Sequence, residues 1–222
     1  MKIKYINLFL LLVATGVFVY AFFIFDNDKP IRYLPIYGEK IYESKNGKTD
    51  TTFHTIQDFS FINQDSQTVT QKDFDGSVYV TDFFFTTCKT ICPVMSTQME
   101  RVADKFKGNT DVKFLSHTVD PEMDTVGQLK RYSIKHNADS KQWMFVTGDK
   151  KDLYGIARQS YLLNAEQGDG GPDDFIHTQN FALIDKDKRI RGFYDGIDST
   201  EMNQLMKDIE LLLAEYHYKE KK

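Results

Sequence analysis

From Val78 to Phe85 the chain reads Val-Tyr-Val-Thr-Asp-Phe-Phe-Phe, β-branched or aromatic at nearly every position. A strand that is apolar on both faces belongs inside a sheet with helices above and below it, because an uncovered face would meet water. The strand signal passes directly into Thr86-Thr87-Cys88-Lys89-Thr90-Ile91-Cys92-Pro93. Met95, Met99, Val102 and Phe106 then recur at helical spacing, which predicts a helix over Pro93 to Phe106. A covered strand feeding a helix makes this an α/β chain, with both cysteines at the joint.

The neighbouring segments continue the alternation. Phe59–Ile62 and Thr68–Thr70 flank Asn63–Gln67 as a hairpin. Val112–Val119 predicts the next strand, closed by Asp120-Pro121, and Asp124 stands where it would cap a helix running to about His136. Trp143–Val146 reads as a strand and Lys151–Gln159 as a helix. Phe181–Ile184 and Ile190–Tyr194 surround the turn Asp185–Lys188 as an antiparallel pair. A final helix is expected from about Ser199 to Tyr218, opened by Asp198 and Glu201 at capping-box spacing. Alternation first and an antiparallel pair last imply a mixed sheet with helices on both faces.

Ahead of this region, Tyr5 to Phe25 carries no charge, and as a helix it spans about 31 Å, one hydrocarbon core. Lys2 and Lys4 precede it and Asp26 and Asp28 follow, so the positive flank stays in the cytoplasm and the rest faces outward. The run is longer than a signal-peptide core, no small-x-small site follows it, and no cysteine lies near the start to take a lipid. A retained single-pass transmembrane anchor is expected. The few residues before it hold no organelle presequence, which points to the cytoplasmic (inner) membrane of a bacterium, with the soluble domain on the periplasmic, extracytoplasmic side. The chain then divides into an anchor over 1–25, a tether over 26–55 interrupted by Pro30, Pro35, Gly38 and Gly47, a domain over 56–218 and a charged tail over 219–222. A net charge of −4 and basic residues scattered along the chain speak against a nucleic-acid partner.

The two cysteines, Cys88 and Cys92, are the only ones, too few and too close for a disulfide framework. The first turn of a helix offers unpaired N–H groups and a positive dipole end, and both favour thiolate, the nucleophilic and metal-binding form. At a spacing of four on a helix the sulfurs share a face and converge on one ion or close a disulfide. A third ligand has candidates in His54, His117, His136, His177 and His217. His117 falls in mid-strand, a packing or surface position. His177, in Asp174-Phe-Ile-His177-Thr, stands just before the closing hairpin. In a thioredoxin-like sheet that loop passes beside the cysteine turn.

With these residues the chain resembles the Sco/SenC family of copper-handling proteins. The Cys88-x3-Cys92-Pro93 motif, Asp120-Pro121-Glu122-Met123-Asp124-Thr125 and His177 come in the family's order behind an amino-terminal anchor, over about residues 53 to 215. The resemblance implies a thioredoxin-like fold and one copper per chain, held by Cys88, Cys92 and His177. It further implies delivery to the copper-bearing subunit of cytochrome c oxidase, or to another copper recipient, with a thioredoxin-like reductant as a second partner. Soft Cu(I) prefers thiolates, and two thiolates with a neutral imidazole leave a net charge of about −1 around Cu(I) and about zero around Cu(II). Structural zinc wants four ligands, which this set lacks. The chain departs from the family's pattern at Lys89, where proline is common, and at Ile176, where an acidic residue is common; Asp173 and Asp174 stand nearby.

An enzymatic alternative uses the same residues. As a thiol–disulfide oxidoreductase, Cys88 is the nucleophile, Cys92 the resolving thiol, and Asp82, six positions before Cys88, the buried proton acceptor. The bland reading of Asp82 is a solvated or lysine-paired residue at the strand entrance. A peroxidase is disfavoured because Phe85 stands where a threonine is wanted. Met95 and Met99 are read as core.

Overall fold

The computed structural model describes residues 13–18, 20, 33–45, 48–163, 171, 176 and 178–220. Contacts divide the chain into two units, Met1–Arg32 and Tyr33–Lys222. In the first, residues 13–18 and 20 are helical, and the rest of the Tyr5–Phe25 run lies outside the described residues. No helix among the described residues is long and apolar enough to cross a membrane.

The second unit contains β1 (Lys40–Lys45), β2 (Lys48–Phe53), β3 (Ser60–Asn63), β4 (Thr68–Thr70), β5 (Val78–Phe84), β6 (Val112–Thr118), β7 (Trp143–Thr147), β8 (Asn180–Ile184) and β9 (Ile190–Asp195). Its helices are α1 (Cys92–Lys105), α2 (Val126–Lys135), α3 (Lys150–Gly155) and α4 (Ser199–Glu220). Seven strands form one sheet in the order β4-β3-β7-β6-β5-β8-β9. β5, β6 and β7 run parallel at its centre, whereas β3, β4, β8 and β9 pair antiparallel. This is the mixed sheet that the alternation of apolar segments predicts.

β5 is buried at every position, and its side chains divide between two cores. Val78, Val80 and Phe84 face Met95, Met99 and Val102 of α1, Leu129 of α2 and Leu205 and Ile209 of α4. Tyr79 and Phe83 face Leu153 of α3, Ala157 and Tyr161. Met95 and Met99 are wholly buried, and each side chain contributes about 1.5–3 kcal/mol by leaving water. His117 is wholly buried too, stacked on Phe83 at 4.8 Å and hydrogen-bonded through Nδ1 to Thr81 Oγ1 at 3.1 Å. Burial drives its pKa down to about 3, so it packs as a neutral ring.

Several local readings shift. The Lys151–Gln159 helix is α only to Gly155, capped by Asp149, whose carboxylate accepts from the N–H groups of Lys151 and Asp152. It continues as a π turn over Ile156–Ser160. Glu201 does not close a capping box on Asp198; its carboxylate accepts from Asp195 N–H, and Asp198 caps Thr200 N–H. The N-cap position of α2 is Thr125, whose side chain makes no capping bond, and Asp124 is buried with its carboxylate directed elsewhere.

Residues 33–45 and 48–55, aperiodic in sequence, pack in the same unit as the sheet. Leu34 and Pro35 are held by a buried ionic cluster. Arg191 of β9 donates to Asp185 at 3.0 Å, to Glu215 of α4 at 2.8 Å, to Leu34 O at 2.7 Å and to Pro35 O at 3.0 Å. Glu215 accepts in turn from Leu34 N–H at 2.6 Å. Beyond it, β1 and β2 pair as a separate antiparallel ribbon. Both faces of that ribbon meet water, with Ile41 and Tyr42 exposed, so no alternation marks it in the sequence. Its one local signal is the Asn46-Gly47 dipeptide, a hairpin-turn sequence.

Candidate metal centre

β5 ends at Phe84, and the chain turns through Phe85–Cys88, where Cys88 N–H donates to Phe85 O at 3.3 Å. Cys92 is the first residue of α1, and Pro93 follows where its missing N–H leaves no carbonyl unpaired. The two thiols are thus brought together differently from the helical i, i+4 arrangement expected. Cys88 lies in the connection ahead of the helix, and only Cys92 belongs to α1. Both are free thiols, Cys88 partly exposed and Cys92 3% exposed.

Their electrostatics diverge. For Cys88 the burial it does have raises the pKa. Hydrogen bonds from the Thr90 hydroxyl, the N–H groups of Cys92 and Thr90 and the Cys92 thiol outweigh this, and the thiol sits at about 7. Cys92 goes the other way, pushed up to about 12 chiefly by burial, with the Cys88 and Asp82 charges adding to the rise. One thiol is therefore accessible and readily ionised. The other is sheltered, protonated and within hydrogen-bond reach of the first.

Asp82 lies on the same face of β5 as Phe84, and it is 1% exposed. It is not solvated and not paired with a lysine. Ser116 Oγ donates to it at 2.5 Å, and Trp143 Nε1 donates to Ser116 Oγ at 3.0 Å. Burial raises its pKa to about 7 against the lowering effect of the Ser116 hydrogen bond. Beside the cysteines a second buried pair, Ser96 Oγ and Tyr132 OH, is 2.7 Å apart. Ser116, Trp143, Ser96 and Tyr132 carry no motif, and only the fold reveals them.

Asp124, a helix-cap candidate in the sequence, instead meets Thr86 of the cysteine turn. Its carboxylate accepts from Thr86 N–H at 3.2 and 3.1 Å, from the Thr86 hydroxyl, and from Thr118 Oγ1 at 2.5 Å. A faint signal exists in Asp124-Thr125, two capping residues in succession of which only one can cap.

His177, Asp173 and Asp174 lie outside the described residues. Among the described residues no three His, Cys, Asp or Glu side chains gather as a metal site. Ile176 is buried in the second core. β8 starts at Asn180, two residues before the Ala182 that faces Thr81, so the chain around Thr178 lies at the end of β5 that leads to Cys88.

Comparison with known proteins settles the family. The SCO1/SenC family model matches residues 47–214. The chain belongs to the SCO1/SenC family. A SCO1 protein homolog of Bacillus subtilis (strain 168) is 31% identical over 163 residues, covering 72% of this chain and 84% of the relative. The solved structure of BsSco, described as a member of the Sco family of cytochrome c oxidase assembly proteins with a disulfide switch, superposes with a TM-score of 0.61. It is 30% identical and covers 72% of this chain and 93% of its own. ScoI of Arabidopsis thaliana, solved with copper bound, gives a TM-score of 0.56 at 26% identity over 69% of this chain and 97% of its own. The mixed sheet is accordingly the thioredoxin-like arrangement of SCO1/SenC proteins.

Proposed function

We propose that this protein carries one copper ion on Cys88 and Cys92, with His177 as third ligand, and passes it to a copper-bearing subunit of cytochrome c oxidase. The observation that carries the reading is the paired free thiols at the β5–α1 joint, one accessible and ionising near neutrality. Soft thiolates suit copper, and the exposed sulfur gives an incoming or departing ion an open side. Copper bound to ScoI of Arabidopsis supports the cargo, and BsSco's description as a cytochrome c oxidase assembly protein supports the recipient. The β8 approach, with the chain near Thr178 at the cysteine end, supports His177 as the ligand. The uncharged Tyr5–Phe25 run is proposed as a single membrane anchor holding the domain on the extracytoplasmic side.

The test is copper titration of the reduced full chain. One equivalent is expected, with Cys88→Ser, Cys92→Ser and His177→Ala each weakening uptake at least about tenfold, or about 1.4 kcal/mol. An affinity and Cu(II) spectrum unchanged in His177→Ala would remove the third ligand from the scheme.

A second reading is favoured by one observation, the buried Asp82 carboxyl with its pKa near 7 and its charge felt at Cys92. As a disulfide reductase, the Cys88 thiolate attacks a partner's disulfide and releases one partner thiolate. Cys92 then gives its proton to Asp82 and attacks Cys88 Sγ, which releases the second partner thiolate and leaves a Cys88–Cys92 disulfide. The partner gains two electrons, and an external dithiol must restore the pair. Turnover by metal-free protein that falls in Asp82→Asn and persists in His177→Ala would establish this role.

A further inference from the structure

Cys88 sits on a connection with no regular structure of its own, between the end of β5 and the start of α1. Such a segment holds a sulfur in place only if something outside it fixes the backbone. The contacts of Thr86 supply that support. Its N–H and hydroxyl both go to the carboxylate of Asp124, which reaches over from the loop between β6 and α2. The Thr86 hydroxyl also accepts from Gln128 Nε2 of α2 at 3.0 Å.

The support is itself rigid. Asp124 is 0% exposed and braced on β6 through Thr118 Oγ1, which also accepts from Asp120 N–H at 2.9 Å. Asp124 N–H closes the same loop on Asp120 O at 2.8 Å. A buried carboxylate is costly unless hydrogen bonds satisfy it, and three of the four that reach Asp124 come from Thr86, the fourth from Thr118. Phe85 O, at the other end of the same turn, receives Cys88 N–H.

We infer that Asp124 is a positioning residue for Cys88, clamping Thr86 so that the thiol stays in place beside the Thr90 hydroxyl, 3.5 Å from its sulfur. This deepens the copper-carrier reading and rests on Cys88 being the working thiol. Gln128, in the first turn of α2, braces the same threonine from the helix side.

The test has a readout that does not require copper. In the metal-free, reduced full chain, amide hydrogen exchange at Cys88, whose N–H donates to Phe85 O, is followed together with the rate of Cys88 alkylation by iodoacetamide at one pH in wild type, Asp124→Asn, Thr86→Val and the double variant. Loss of the clamp frees the turn, so Cys88 N–H is expected to exchange at least about tenfold faster in each single variant while the amides of β5 keep their protection. The double variant is expected to be no worse than the worse single one, because both remove one link. Exchange at Cys88 that is unchanged in folded Asp124→Asn overturns the proposal, as does unchanged exchange in Thr86→Val if Asp124→Asn fails to fold. Copper titration of the same variants is expected to show about tenfold weaker binding. If wild type takes up no copper while the variants show the faster exchange at Cys88, the carrier reading fails and the positioning role stands.

Discussion

Asp82 couples the chemistry at the β5–α1 joint to the stability of the domain. Its pKa is raised to about 7 when folded, well above that of an ordinary carboxylate, so the folded state holds a proton that the unfolded chain has released. The folded protein therefore loses stability as pH rises from about 4 to about 7, by a few kcal/mol, roughly 4 at most. His117 acts oppositely, because its folded pKa near 3 lies below the unfolded value and stability rises with pH until about 6.5. The two nearly offset each other across mildly acidic pH, and only a difference measurement separates them. Asp82→Asn keeps an acceptor for Ser116 and removes the titration. Its stability relative to wild type should grow between pH 4 and pH 7.5 in urea unfolding, and a flat difference would show that Asp82 does not titrate there.

Elements were legible in proportion to how one-sided or two-sided their burial is. β5 announced itself because every residue is buried, and α1 because Met95, Met99 and Val102 line one face. The ribbon β1–β2 is invisible in the sequence because neither face is fully buried and Ile41 and Tyr42 stay exposed. At the site, Cys88 and Cys92 stand out by type and spacing, whereas Asp124 carries only the sequence signature of a cap, because its partner Thr86 is distant in sequence and close only in the fold. Ser116 and Trp143 gave no signal at all, since their value lies in meeting Asp82 across strands. Gly38 shows the same dependence on tertiary contact. It has a φ of +95°, and a Cβ there would stand 2.5 Å from His54 Cβ. Gly38→Ala should cost about 1–3 kcal/mol in thermal or urea unfolding, with Cys88 alkylation unchanged.

At the scale of the whole molecule, the family match begins at residue 47, whereas the compact unit begins at Tyr33. The residues between carry Leu34 and Pro35, whose carbonyls complete the shell of a buried guanidinium. A chain started at residue 47 leaves Arg191 and Glu215 short of partners and should be roughly 2–5 kcal/mol less stable than one started at 33. Equal urea midpoints for the two would show that the cluster is dispensable. The register fixes where this grip lies. Arg191 follows Ile190, which pairs with Ile184, which pairs with Tyr79 near the start of β5, and Cys88 comes after the strand's far end. A pull on the backbone at Leu34 and Pro35 would thus be borne first by the guanidinium cluster, most of a strand's length short of the sulfurs.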